Sequence, residues 1–264
     1  MFLLLTDELI MKYFAIGASG IATLLALYLW KARSKNIITK DTVSSITDEE
    51  ISQFKVKKYY DATSKLVPST TVYPGDPTLK VETICSVGNG CCFGLSEITM
   101  SNHMGTHIDF PAHVLTDGKT SSDYTLNDLS GSGIIIEIPS ESLSITAKEI
   151  EAKKIDKNSI VFFKTKNSKI PKTGDLSSSY VYIEPDAAEI LVRLGVKIIG
   201  VDYISVDSLE NDHLPTHNIL LKNDILIVEN LQLEGIDPGK CNVQIAPLNI
   251  PDMDGLPARV IISK

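Results

Sequence analysis

Apolar positions along the chain follow two regimes. Residues 13–30 (YFAIGASGIATLLALYLW) run without a charge, whereas from about residue 59 onward short β-branched or aromatic runs alternate with turn residues. The second pattern predicts strands over 59–63, 79–86, 93–101, 133–138, 159–165, 197–202, 224–228 and 258–263. Gly88, Asn89 and Gly90 lie between the second and third of these and predict a hairpin turn, since Asn and Gly tolerate the positive φ such turns need. Two helices are expected. One covers 146–153, where Thr146 and Glu149 fit a capping box; the other covers 185–194, with Pro185 in its first turn and Gly195 past its end. With more strand than helix and no internal repeat, the fold class is a strand-rich, mixed α/β single domain.

The charge-free run sets the expected organisation of the rest. At 1.5 Å per residue it spans about 27 Å, just enough for a bilayer. Tyr13, Tyr28 and Trp30 sit at its ends, and Lys31, Arg33, Lys35 and Lys40 follow it against Lys12 before it. This distribution predicts a membrane anchor over 1–35 with the following domain on the cytosolic side. A cleavable signal peptide starting at Met11, a buried helix and a transit segment compete with that reading. The absence of a small-x-small cleavage site favours the anchor. Residues 36–58 are polar and read as a linker, leaving 59–264 as the globular part. Cys85, Cys91, Cys92 and Cys241 form no CxxC pair, and the adjacent pair makes a poor disulfide framework, so reduced thiols are expected.

Composition narrows the function. The net charge of −8 over 264 residues, with no basic stripe, excludes a nucleic-acid protein that relies on neutralising phosphates. Neither a GxxxxGK[ST] loop nor a GxGxxG turn is present, and the Ser-Gly-Ser-Gly stretch at 130–133 lacks the leading Gly of a nucleophile elbow.

Residues 101–114 (SNHMGTHIDFPAHV) carry the chemistry. His103, His107, Asp109 and His113 are all odd-numbered, so an extended segment would turn them to one face, while Pro111 excludes a continuing helix. Gly105 would leave room on that face for imidazoles to converge. Imidazole and carboxylate without nearby thiolates suit zinc or manganese in an open catalytic site better than a structural zinc site.

This segment resembles the HxGTHxDxPxH signature of the metal-dependent cyclase-like hydrolases, the family of bacterial-type kynurenine formamidase and isatin hydrolase. His103, Gly105, Thr106, His107, Asp109, Pro111 and His113 fill its fixed positions in order. The likeness extends over roughly 59–264, through Asp61-Ala62-Thr63, Tyr73-Pro74-Gly75-Asp76, Gly200-Val201-Asp202 with Ser205 and Asp207, and then His217 and Glu229. The N-terminal segment is not part of the family pattern.

The resemblance implies a β-barrel-like core flanked by helices, and a homo-oligomer acting on a small molecule. It implies two divalent metal ions, zinc or manganese. His103, His107 and Asp109 would hold one, and His217 with the shared carboxylates Asp109 and Glu229 the second. A water shared by the pair would be activated to attack an amide, with His113 unligated as proton carrier. The implied activity is an arylformamidase of tryptophan catabolism, cleaving the C–N bond of N-formylkynurenine or a similar aryl formamide. Tyr73 stands where the formamidases present a tryptophan to the substrate, which leaves ring-opening of an isatin-like cyclic amide or lactone, or a cyclisation, as alternatives. A membrane-tethered protein that binds metal or ligand without turnover is the non-enzymatic alternative. Glu229, after the apolar run 225–228, reads as a ligand, and His213 as a surface residue.

Overall fold

The computed structural model describes residues 58–264. Its centre is a closed barrel of seven strands. We number the strands β1 (Tyr59–Asp61), β2 (Lys80–Cys85), β3 (Leu95–Thr99), β4 (His107–Asp109), β5 (Ser130–Glu137), β6 (Ser144–Ile145), β7 (Ile160–Lys164), β8 (Tyr182–Ile183), β9 (Ile198–Val201), β10 (Leu226–Glu229), β11 (Gly239–Pro247) and β12 (Gly255–Ser263). The α-helices are α1 (Ala147–Glu151), α2 (Pro185–Leu194) and α3 (Pro215–Lys222). Around the barrel the order is β12-β11-β5-β7-β9-β10-β4, and β4 pairs back onto β12 to close it. The strands β5, β7, β9 and β10 are parallel and the remaining barrel pairings antiparallel.

Apart from the Ser-Gly-Ser-Gly start of β5 and the polar residues that end β5, β7 and β10, the parallel strands are apolar runs because both of their faces are covered. Ile135, Ile160, Phe162, Ile198 and Val228 point into the barrel with Ile108, Val243, Val260 and Ile262. Their alternating neighbours Ile136, Val161, Phe163, Ile199 and Ile227 point outward and pack against Ile150 of α1, Ala187, Ala188 and Leu191 of α2, and Leu220 and Leu221 of α3. The strand-rich mixed α/β class is as expected. So are the capping box of α1, with Glu149 accepting from the Thr146 amide at 2.8 Å, and the end of α2 at Gly195, whose φ is +66°.

Three expectations need correction. First, a membrane-anchored protein is not supported: among the described residues no helix is long and apolar enough to cross a membrane. The anchor and linker expected over 1–35 and 36–58 lie outside the described residues, save Lys58. Second, the thiols are not all reduced. The β2–β3 hairpin sets Cys85 and Cys91 on either side of its turn, where they form a disulfide, while Cys92 is free and exposed and Cys241 free and buried. Sequence adjacency of Cys91 and Cys92 misleads because only one of them faces across the hairpin. Third, β11 and α3 exist although no run of β-branched residues or capping box announces them.

Gly200 of β9 is bare for a packing reason. A Cβ there would stand 2.6 Å from both Leu231 Cδ1 and Phe162 Cδ1, inside the barrel. The substitution Gly200→Ala is therefore expected to destabilise the domain by about 1–3 kcal/mol, the usual range for overpacking a filled core. Urea unfolding measures this, and an unchanged midpoint would show that the interior repacks freely.

Candidate metal centre

The strand pairing that closes the barrel also builds the site. His107 and Asp109 are two apart on β4, so both point outward while Ile108 points into the barrel. Glu229, the last residue of β10, lies directly opposite His107 in the antiparallel register and shares its face. On the other side of β4, Gly255 of β12 lies opposite Asp109. A Cβ at Gly255 would come 2.2 Å from His103 Cε1, so the imidazole of His103 occupies the space a side chain would fill.

His217 arrives from the first turn of α3. Asp207 fixes it there. Its Oδ1 accepts from the Thr216 amide at 2.8 Å, and its Oδ2 accepts from the His217 amide at 3.0 Å and faces ring Nδ1 at 2.6 Å. One carboxylate thus caps the helix and orients the ring. Nδ1 of His107 is similarly engaged, 2.8 Å from the Gly105 carbonyl oxygen.

With each Nδ1 spent on an acceptor, Nε2 of both rings is left to face carboxylates. His107 Nε2 lies 3.3 Å from Asp109 Oδ1 and 3.5 Å from Glu229 Oε2, and His217 Nε2 lies 3.3 Å from Glu229 Oε1 and 3.8 Å from Asp109 Oδ2. These separations exceed the 2.7–2.9 Å of a charge-assisted hydrogen bond. A neutral imidazole would direct a lone pair at an anion across each gap, so the arrangement requires positive charge between the groups. Oδ2 of Asp109 makes the same point: among the described residues it is a buried side-chain atom without a hydrogen-bond partner. The donor set fits a divalent cation.

Protonation supplies that charge otherwise. Burial acts to push the His107 and His217 imidazoles down, but the Asp109 and Glu229 carboxylates, joined at His217 by Asp207, outweigh it and hold both above the usual histidine range. The Asp109 carboxyl, which burial alone would raise, is held well below its ordinary value by the imidazoles around it.

His103 and His113 stand at the mouth. Nδ1 of His103 is 2.8 Å from Asp109 Oδ1 and its Nε2 is 3.0 Å from Asp254 Oδ2. Burial lowers its pKa, yet the two carboxylates lift it to about 9. His113 Nδ1 lies 3.3 Å from the same Asp254 oxygen, and Asn102 Nδ2 donates to the other Asp254 oxygen at 2.9 Å. Among the described residues, potential ligand atoms within 4.8 Å of one another form two groups, His103 with Asp109 and His113, and His107 with Asp109 and Glu229. Asp109 belongs to both.

A cavity of about 450 Å³ opens onto the histidines, with Tyr73, Ile204, Ser205 and Leu214 among its walls. Tyr73 packs against Tyr180, Tyr203 and Ile204 there. Cys92 and Phe93 are exposed on the hairpin and do not line this cavity, and His213 is exposed on the loop before α3. Asp202 is taken up elsewhere, accepting from the Thr165 amide and hydroxyl and from Ser168.

Convergence in the motif is not achieved by one extended segment. Only 107–109 is strand; His103 lies within a turn, and 111–113 is a 3₁₀ turn. Gly105 serves that turn with φ +67°, and a Cβ on it would strike Leu66 at 2.3 Å rather than an imidazole. Asp254 and Gly255 escape sequence reasoning altogether, since no motif links them to residues 150 positions earlier. The helix carrying His217 had a signal: Pro215, then His217, Leu220 and Leu221 at helical spacing, all three buried.

Comparison with known proteins places the chain in a family. Residues 60–208 match the family model described as "Putative cyclase". A kynurenine formamidase of Bacillus anthracis is 32% identical over 208 residues, which are 79% of this chain and 98% of that one. Cyclase-like protein 3 of Oryza sativa subsp. japonica is 35% identical over 188 residues, 68% of this chain and 69% of its own. Among solved structures, a "predicted metal-dependent hydrolase" from Bacillus stearothermophilus superposes with a TM-score of 0.69 at 29% identity, covering 79% of this chain and 99% of its own. An isatin hydrolase bound to thioisatinate shares the fold, with a TM-score of 0.71 at 20% identity over 86% of this chain and 99% of its own. With more than half of its length matched by the family model and a relative above 30% identity covering most of it, the chain belongs to the cyclase family.

Proposed function

We propose that the chain is a metal-dependent amidohydrolase that cleaves the C–N bond of a small aryl formamide of the N-formylkynurenine type, with residues 59–264 as its catalytic unit. The observation that carries this reading is the buried Oδ2 of Asp109, without a hydrogen-bond partner among the described residues and set among imidazoles whose other nitrogens are already engaged. The names of the similar formamidases supply the substrate class.

His103, His107 and Asp109 would hold one divalent cation, and His217, Glu229 and the shared Asp109 a second, zinc or manganese in each case. For His103 this requires one ring nitrogen to leave its present carboxylate. Divalent cations bound there would lower the pKa of a coordinated water and polarise the scissile carbonyl. The chain's own residues do the rest. Asp207 and the Gly105 carbonyl keep the His217 and His107 rings turned so that Nε2 faces inward. His113, partly exposed at the cavity mouth, carries a proton to the departing nitrogen, and Asp254 opposite its Nδ1 orients the ring. The ring of Tyr73 offers a face for the substrate's arene, and the packed Tyr180 and Tyr203 hold it in place.

The direct test is turnover of N-formylkynurenine, a simple aryl formamide and isatin by the metal-loaded chain. Formamide cleavage with isatin left intact is the expected result. Isatin opening alone would replace the substrate class, and binding without turnover of any of them would favour a ligand-capturing protein.

Metal content separates the roles of the histidines. His217→Ala should lose both metal and activity. His113→Ala should keep its metal, by elemental analysis after saturation at neutral pH, yet turn over about 10²–10⁴-fold more slowly, the usual loss for a general acid–base group. Equal metal loss in the two variants would show that His113 is a ligand instead.

A further inference from the structure

A second cavity, of about 650 Å³, lies at the end of the barrel where β5, β7 and β9 begin and β12 ends. Glu229 and the other site residues gather where β10 ends, so the two cavities open at opposite ends of the parallel strands. Around the second stand Lys154, Lys157, Lys197, Lys240 and Lys264, against the single carboxylate of Asp156. In a chain of net charge −8 this is a local reversal of sign. The five come from the loop after α1, the start of β9, β11 and the C-terminus. They are therefore collected by barrel closure and are not one solvated helix face.

Internal partners use only part of this charge. Lys240 pairs with Asp156 at 3.2 Å. Lys264 donates to the backbone carbonyls of Asp237 and Pro238. Lys197 donates to the carbonyls of Asn127 at 2.9 Å and Ser130 at 3.1 Å, which leaves one of its three N–H groups, and Asp128 is the carboxylate acting on it. Lys154 and Lys157 have neither an ion pair nor a hydrogen bond among the described residues. The adjoining wall includes Ser130, Gly131 and Ser132 at the start of β5, where nothing larger than a hydroxymethyl group shields the backbone. The exposed hydroxyl of Ser132, the half-buried one of Ser130, the exposed backbone at Gly131 and several ammonium groups suit a ligand with more than one negative charge and many acceptor oxygens. Phosphate meets that description and a lone carboxylate does not.

We propose that this lysine-ringed mouth of the barrel is a binding site for a phosphate-bearing small molecule, separate from the histidine site. Inorganic phosphate is the probe, in equilibrium dialysis against the full-length chain at low ionic strength. The expected result is saturable binding that weakens with added salt and falls at least tenfold in Lys154→Glu/Lys157→Glu, with Lys154→Gln/Lys157→Gln intermediate. Reversing two exposed lysines elsewhere, Lys80→Glu/Lys222→Glu, should leave it intact. Circular dichroism checks that each variant is folded. Phosphate that stays bound in the first double variant, as it would at the histidines, overturns the proposal. So does a loss of equal size in the Lys80/Lys222 control, or binding that does not saturate.

Discussion

Asp109 is a carboxylate with almost no access to water, and its surroundings answer the cost of putting it there. Removing a charge from water costs several kcal/mol unless opposite charge is supplied at close range. Here β4 places the carboxylate between two neighbours in a closed barrel, so it cannot turn toward solvent. The imidazoles of His103, His107 and His217 are brought to it from a turn, the same strand and a helix. Asp207, Asp254 and the Gly105 carbonyl then hold those imidazoles. The arrangement is ordered outward from one buried charge.

That order explains which parts of the molecule were legible in the chain. The apolar runs Ile134–Ile136 of β5, Ile160–Phe163 of β7, Ile198–Val201 of β9 and Leu226–Val228 of β10 stood out because stretches of strand covered on both faces leave little room for polar residues. The cap of α1 and the Gly195 terminus of α2 were legible for local steric reasons. In contrast, β11 alternates buried Cys241, Val243 and Ile245 with exposed Asn242, Gln244 and Ala246. It is a half-buried strand that a search for β-branched runs passes over, although its period of two was there to be read.

The site divides along the same line. His103, His107, Asp109 and His113 lie within eleven residues, and the family resemblance adds His217 and Glu229 at their spacing. What unites them physically is the β4–β10 register, which no local pattern reveals. Asp254 and Gly255 make the limit plain. Their parts, a carboxylate between two imidazoles and a space left for a ring, exist only because β12 pairs with β4, and an aspartate beside a glycine in a turn looks like any other. The cysteines show the opposite hazard, since a conspicuous local feature, the adjacent pair, hid the contact made across the hairpin.

The split between near and distant residues also bears on how the chain acquires its structure. Closing β4 against β12 joins positions about 150 residues apart, a contact whose loop-closure entropy must be met before it returns any stability. Until then His217, Glu229 and Asp254 are scattered, while His103, His107 and Asp109 are already close along an open chain. An unfolded polypeptide thus keeps a fragment of a chelating site. Any affinity of that fragment for a cation reduces the stabilisation a cation can give the folded barrel, because ligand bound to both states shifts the equilibrium only by the difference. The coupling between metal and folding is therefore set by the ligands that arrive from far along the chain.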